Sequence, residues 1–305
     1  MDLSIPKSDF VHVNGTRLHF LDWGGSGPTL LFLTGMGCSS YIFNRFAPRF
    51  PDKFHILALT RRGHGDSDIP DTGYDADTLI EDIRQFLDTM QVEKAILAGH
   101  SLAGVELTHF VATHPERVEK LIYLDPLDDR RTEAVIIEQN PLRNIKIERA
   151  KSTQHTVEEY IADMKRDAPG LAEIWSEVWD EDVSHNVKVN DEGIVVDKMP
   201  DAIAEMMIEN LVRNYAPKRV EAKIPTLSIF AQKIPRLSNV YTDEQKAEFD
   251  EFHRTVEVPF FQSLVSEFRE RFLHARVMVI PHAHHYCFIA QEDLVYDEMR
   301  KFLLE

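Results

Sequence analysis

Ala95 to Gly104 reads AILAGHSLAG. Ala95 to Ala98 is short and apolar, as expected of a strand buried on both faces, and a helix is predicted from Leu102 to about Thr113. Between them Ser101 sits on a tight strand-to-helix turn. Gly99 lets the strand pass close to that turn, and the helix start at Leu102 offers free N–H groups beside the serine hydroxyl.

Outward from this stretch, strand-like and helical segments alternate. FVHVNGTRLHFLDW reads as a hairpin turning at Asn14-Gly15, a pair suited to a type I′ turn. Buried strands are predicted at Thr29–Leu33, His55–Leu59, Lys94–Ala98, Lys120–Leu124, Thr226–Phe230 and Arg276–Ile280. From Ala76 to Gln91, Leu79, Ile83, Phe86, Leu87 and Met90 recur at helical spacing, the pattern of a surface helix on a sheet. Such alternation predicts an α/β fold, a mostly parallel central sheet flanked by helices.

The pattern breaks between about Asp128 and Glu221, where Val157–Arg166, Leu171–Trp179 and Asp201–Arg213 look helical and Val187–Val196 a small hairpin. The expected organisation is a core of residues 1–127 and 222–305 with a mainly helical cap at 128–221. Thr242 to Gln245 is a capping box that opens a helix, and Pro259 starts another.

The 305 residues carry a formal charge of −17, which would repel a phosphate backbone, so nucleic acid is excluded as a partner and anionic membranes are disfavoured. No apolar run is long enough to span a bilayer or to serve as a signal peptide. Cys38 and Cys287 fit neither a disulfide framework nor a zinc site and suit a reducing cytoplasm. The expectation is a cytoplasmic protein without cofactor, metal or membrane insertion, its oligomeric state open.

Gly99 to Gly104 between strand and helix resembles the nucleophile elbow of the α/β-hydrolase superfamily, with Ala103 at the position usually held by the second glycine. The resemblance covers about Phe10 to Leu127 and Ile224 to Leu304. It implies Ser101 as nucleophile and a late histidine as its base. Arg276 to Ile289 reads RVMVIPHAHHYCFI. In similar hydrolases the catalytic histidine lies a few residues past the strand-ending Ile-Pro pair and before an aromatic, which selects His285, beside Tyr286. His282 and His284 are its rivals, read otherwise as residues that line or brace the loop.

The usual position of the acid, just after Thr226–Phe230, holds Ala231-Gln-Lys-Ile-Pro235, with no carboxylate. Some members place the acid one strand earlier, which points to Asp125 at the end of KLIYL; Asp128 and Asp129 lie close by. Asp243 is the alternative, explained equally by its place in the capping box. LTGMGCSSY, Leu33 to Tyr41, resembles the family's oxyanion loop with Thr34 in place of histidine, so the expected donors are the backbone N–H groups of Met36 and Leu102. Arg61 to Ser67, RRGHGDS, reads as a turn that braces the floor of the site.

A serine at the elbow disfavours haloalkane dehalogenase or epoxide hydrolase chemistry, which needs aspartate there. The resemblance therefore implies a serine hydrolase, a carboxylesterase for small or medium apolar esters acting through an acyl-enzyme. A C–C bond hydrolase, a lyase and a slow-turnover ligand receptor of the same fold stay open. Trp175, Trp179 and Tyr286 are candidates for contact with substrate.

Overall fold

The apolar runs become strands of one sheet because both of its faces are covered. Along β3 (Thr29–Leu33), Leu30 and Phe32 enter one apolar cluster while Leu31 and Leu33 enter another. A strand buried on both sides cannot alternate apolar with polar residues, which is why these segments read as continuous apolar runs. The computed structural model describes residues 5–50, 53–127, 136, 138–143, 154–221, 223–233, 237 and 241–305. Asp128 and Asp129 lie outside the described residues.

The hairpin of β1 (Lys7–Val13) and β2 (Thr16–Gly24) turns at Asn14 and Gly15, with φ of 47° and 74°, as a type I′ turn requires. Then follow β4 (His55–Leu59), α1 (Ala76–Thr89), β5 (Ala95–His100), α2 (Ala103–Thr113) and β6 (Val118–Leu124). The segment after β6 contains α3 (Val157–Asp167), α4 (Pro169–Glu173), α5 (Glu177–Asn186), the small hairpin of β7 (Val187–Val189) and β8 (Val195–Asp197), and α6 (Asp201–Ile208). The chain closes with β9 (Thr226–Gln232), α7 (Asp243–Phe252), α8 (Val258–Arg271), β10 (Arg276–Pro281), α9 (Cys287–Ala290) and α10 (Glu292–Leu304).

Sheet order is β1-β2-β4-β3-β5-β6-β9-β10, antiparallel at β1–β2 and β2–β4 and parallel at every pairing from β4 to β10. Helices α1, α2 and α8 cover one face through Phe86, Phe110 and Phe268. Phe43, Phe46 and Phe50 cover the other with α9 and α10, through Phe288, Met299 and Phe302.

Two expected helices differ from the structure. Leu171–Trp179 is not one helix: Ser176 is extended (φ −149°, ψ 175°), and its carbonyl accepts from Trp179 N–H at 2.9 Å, restarting the chain as α5. Asp201–Arg213 is α-helical only to Ile208 and continues as a π-turn over Glu209–Arg213. The capping box of Thr242 and Gln245 is present, and Pro259 stands in the first turn of α8.

The Ala103 methyl is accommodated against Gly99, where an added Cβ would lie 2.9 Å from it, and the close approach to backbone falls one residue later. At Gly104 a Cβ would lie 2.6 Å from the Leu127 carbonyl oxygen and 2.7 Å from Pro126 Cβ. The start of α2 therefore rests directly on the chain leaving β6.

The segment between β6 and β9 is held to the loops after β3 and β4 by polar contacts. Ser39 donates to Asp182 Oδ1 from its N–H at 2.8 Å and its Oγ at 2.6 Å. Gly65 N–H donates to Asn186 Oδ1 at 3.0 Å, and Asp66 takes Lys198 Nζ at 2.7 Å and His185 Nδ1 at 2.5 Å. Asp182 is 1% exposed. Burial pushes its carboxyl up to about 7, against the opposing pull of the Ser39 hydrogen bonds.

Two outcomes follow from this packing. Gly104→Ala should cost about 1–3 kcal/mol of stability, read as a lower denaturation midpoint, because the added carbon meets backbone that cannot swing aside. Asp182 titrates higher in the folded protein than in the unfolded chain, so its contribution falls as pH rises from about 4 to about 7 and is flat above that. Asp182→Asn keeps an acceptor for Ser39 but carries no charge. Denaturant titrations should therefore show wild type losing stability relative to this variant across that window, by on the order of a few kcal/mol, and a constant difference across it would contradict the assignment.

Candidate active site

Ser101 stands between the end of β5 and the start of α2 with φ of 53°, a left-handed conformation that non-glycine residues adopt at a cost of order 1 kcal/mol or more. Its N–H donates to the Leu124 carbonyl at 3.2 Å, and its own carbonyl accepts from Gly104 N–H at 2.8 Å and Leu127 N–H at 2.7 Å. These bonds hold the turn at the carboxyl ends of β5 and β6, where the side chain reaches out of the sheet.

Asp125 follows the last residue of β6, also left-handed at φ 43°, with its N–H on the Ile229 carbonyl at 2.7 Å. Ala231 N–H donates to its Oδ1 at 2.9 Å. Asp125 Oδ2 lies 2.6 Å from His285 Nδ1, and His285 Nε2 lies 2.9 Å from Ser101 Oγ. Hydroxyl, imidazole and carboxylate thus form one hydrogen-bonded chain. With Nδ1–H donated to the carboxylate, Nε2 presents its lone pair to the Ser101 hydroxyl, the tautomer a general base needs.

Burial pushes the Asp125 carboxyl up, but the Lys233 ammonium, the His285 hydrogen bond and the Ala231 N–H together hold it down to about 2. It is therefore ionised at any ordinary pH. The histidine loop is tied to β9 by Ala283 N–H on the Gln232 carbonyl at 3.1 Å. His282 is exposed. His284 Nδ1 accepts from Tyr286 N–H at 3.2 Å and so braces the loop. Asp243 is exposed in the first turn of α7, where it complements the helix dipole.

His100 shows no sequence signal for its part. It is fully buried, and its Nε2–H donates to the His285 carbonyl at 3.0 Å, fixing the backbone that carries the His285 ring. Burial drives its imidazole well below the ordinary histidine range, so it stays neutral.

The loop after β3 passes against this assembly. A Cβ on Gly35 would lie 2.8 Å from His100 Nδ1 and 3.3 Å from Ser101 Cβ, so only glycine lets the backbone come this close. Arg61, itself buried, donates from Nε to Glu106 Oε1 at 2.7 Å and from Nη2 to the Thr34 carbonyl at 2.7 Å, and Nη1 reaches the Gly35 carbonyl at 3.4 Å. In a trans peptide the carbonyl and the following N–H point in opposite directions. Drawing the Gly35 carbonyl toward Arg61 therefore turns the Met36 N–H away from it. Leu102 stands at the N-terminal cap of α2, where the first N–H groups of a helix have no partner within it.

Met36 and Leu127 pack as an apolar wall with Ile203, Met206, Met207 and Leu102, the residue after Ser101. On the histidine side, Tyr286 lies 4.7 Å from the His100 ring and meets Trp179 edge-on at 4.5 Å, with Trp175 stacked on Trp179 at 5.7 Å. Trp179 is 3% exposed, which makes it a packing residue, whereas Trp175 and Tyr286 are half-buried. Cys38 and Cys287 are buried free thiols. Among the described residues no cluster of three or more His, Cys, Asp or Glu is arranged to hold a metal ion, and no helix is long and apolar enough to cross a membrane.

Residues 28–188 match the family model described as the alpha/beta hydrolase fold. The chain is 37% identical over 111 residues to a 2-(acetamidomethylene)succinate hydrolase of Mesorhizobium japonicum, a match taking in 36% of this chain and 40% of that one. It is 33% identical over 113 residues to a soluble epoxide hydrolase of a Corynebacterium species, 37% of this chain and 39% of that one. Both matches thus take in about two fifths of the relative. In three dimensions the chain resembles the crystal structure of E-2-(acetamidomethylene)succinate hydrolase, with a TM-score of 0.71 at 20% identity over 98% of this chain and 100% of that one. A marine microorganism esterase superposes with a TM-score of 0.64 at 22% identity, over 93% of this chain and 98% of that one. These structural likenesses speak for the fold. The family match takes in more than half of the 305 residues, across the elbow that carries Ser101, and on that ground the chain belongs to the α/β-hydrolase fold family.

Proposed function

We propose that this protein is a serine hydrolase that cleaves carboxylic esters of small or medium apolar substrates through an acyl-enzyme. The observation that carries the reading is the unbroken chain from Ser101 Oγ to His285 at 2.9 Å and from His285 to Asp125 at 2.6 Å. Ser101 Oγ attacks the ester carbonyl carbon while His285 Nε2 takes its proton, and Asp125 stabilises the imidazolium. Negative charge gathers on the former carbonyl oxygen, where the Met36 and Leu102 N–H groups are the donors in this reading. His285 returns the proton to the departing alcohol. Water, deprotonated by the same imidazole, then attacks the acyl-enzyme and frees Ser101.

The apolar wall of Met36, Leu127 and Met206 suits an apolar acyl group, and Trp175 and Tyr286 are the aromatic surfaces a substrate could touch. Residues 128–221 are proposed to act as the cap over this site. The serine at the elbow favours acyl transfer over the epoxide opening named for one relative, because that chemistry needs a carboxylate nucleophile.

The test is hydrolysis of short and medium p-nitrophenyl esters together with labelling by a fluorophosphonate. Ser101→Ala should abolish both. Asp125→Asn should lower kcat by about 10⁴-fold, through loss of the tautomer that the carboxylate fixes. Labelling without turnover of any ester would favour a lyase or slow receptor of the same fold, and absence of labelling would remove the hydrolase reading. Met36 acts through its backbone, so Met36→Ala should change KM and chain-length preference while kcat on the best ester stays within about threefold, far less than the loss of an oxyanion donor.

A further inference from the structure

The end of β9 is where the resemblance puts the acid of a triad, and this chain places a cation there. Lys233 Nζ lies 3.6 Å from Asp125 Oδ2, the same oxygen that accepts from His285 Nδ1 at 2.6 Å. The approach is built into the sheet. β9 pairs with β6 on one side and β10 on the other, Ala231 N–H holds the second oxygen of Asp125, and the Gln232 carbonyl holds the histidine loop. Lys233 follows directly, its side chain half exposed while that of Asp125 is buried.

We propose that Lys233 is a positioning residue that biases the proton between Asp125 and His285: its ammonium competes for Asp125 Oδ2 and disfavours the imidazolium, so His285 stays neutral, and able to take the Ser101 proton, to lower pH than an unassisted pair allows. This inference rests on the hydrolase reading of Ser101, His285 and Asp125.

Among the described residues, Lys233 is the cation that lies against the pair, at Asp125 Oδ2. His100, from the end of β5, donates to the His285 carbonyl and is kept neutral by burial. His284 is lowered to about 4, first by burial and then by His285 and Lys233. Burial raises the Cys287 thiol, so it too is uncharged. Glu173 acts on His284 from α4. A cavity of about 200 Å³ is lined by both Asp125 and Lys233 and also by His253 and Glu257. Those two are paired to each other at 2.8 Å.

The experiment measures the second-order rate of fluorophosphonate labelling of Ser101 between about pH 4 and 9 in wild type, Lys233→Met and Lys233→Arg; this readout needs no knowledge of the natural substrate. With Lys233→Met the acid limb should move up by about half a unit to one unit, while the plateau rate stays within about threefold. Lys233→Arg should keep the wild-type limb, because it keeps the charge. In wild type alone, raising the salt should move the limb in the same upward direction, since the half-exposed ammonium is screened more than the buried pair; this holds even if Lys233→Met does not fold. A limb that moves neither with Lys233→Met nor with salt overturns the proposal, as does an equal shift in Lys233→Arg. Failure of wild-type Ser101 to label at all is a different result: it overturns the hydrolase reading and the inference with it.

Discussion

One carbonyl oxygen organises the site. The Ser101 carbonyl accepts from Gly104 N–H, which opens α2, and from Leu127 N–H, which leaves β6. Through those two bonds the turn that presents the serine is tied to the loop that presents Asp125, and both residues are held in left-handed backbone. The packing demands glycine at 104 for the same reason: the Leu127 carbonyl occupies the space that a side chain would need. His285 joins from the far end of the chain through Ala283, Gln232 and β9.

Electrostatics then works on a fixed frame. Buried charges are costly unless paired, and each one near the site has a partner chosen by topology. Arg61 meets Glu106 and spends its remaining donors on the Thr34 and Gly35 carbonyls, so an ion pair also shapes the loop carrying Met36. Asp125 is ionised despite burial because an amide, an imidazole and an ammonium face it. His100, with no such partner, is neutral and serves as a donor to backbone.

The segment between β6 and β9 adds the walls. Its helix α6 brings Ile203, Met206 and Met207 against Met36 and Leu102, while α5 brings Trp179 against Tyr286. Beside this apolar packing it is attached to the core by polar contacts, through Asp182, Asn186, His185 and Lys198. Contacts of this kind respond to pH and salt more than apolar packing does.

The family fold and the candidate Ser101 were legible as local pattern, apolar runs that read as buried strands and a glycine-flanked serine between strand and helix. His285 and Asp125 became candidates through resemblance to similar hydrolases, from their places after the strand-ending Ile-Pro pair and at the end of KLIYL. Local pattern failed where tertiary contact overrides it. Leu171–Trp179 has helical spacing throughout, yet the chain breaks at Ser176 and restarts as α5, whose Trp179 and Asp182 meet Tyr286 and Ser39. Arg61 with Glu106, Lys233 with Asp125 and His100 with His285 are pairs separated by 45, 108 and 185 residues or strung across different strands. Nothing in the spacing of such residues says that they touch. By itself the sequence determined the strands of the sheet, most of the helices and which side chains could do chemistry, since those depend on near neighbours along the chain. Only the folded sheet decided which charge faces which, because parallel strands bring their carboxyl ends together from the two ends of the polypeptide.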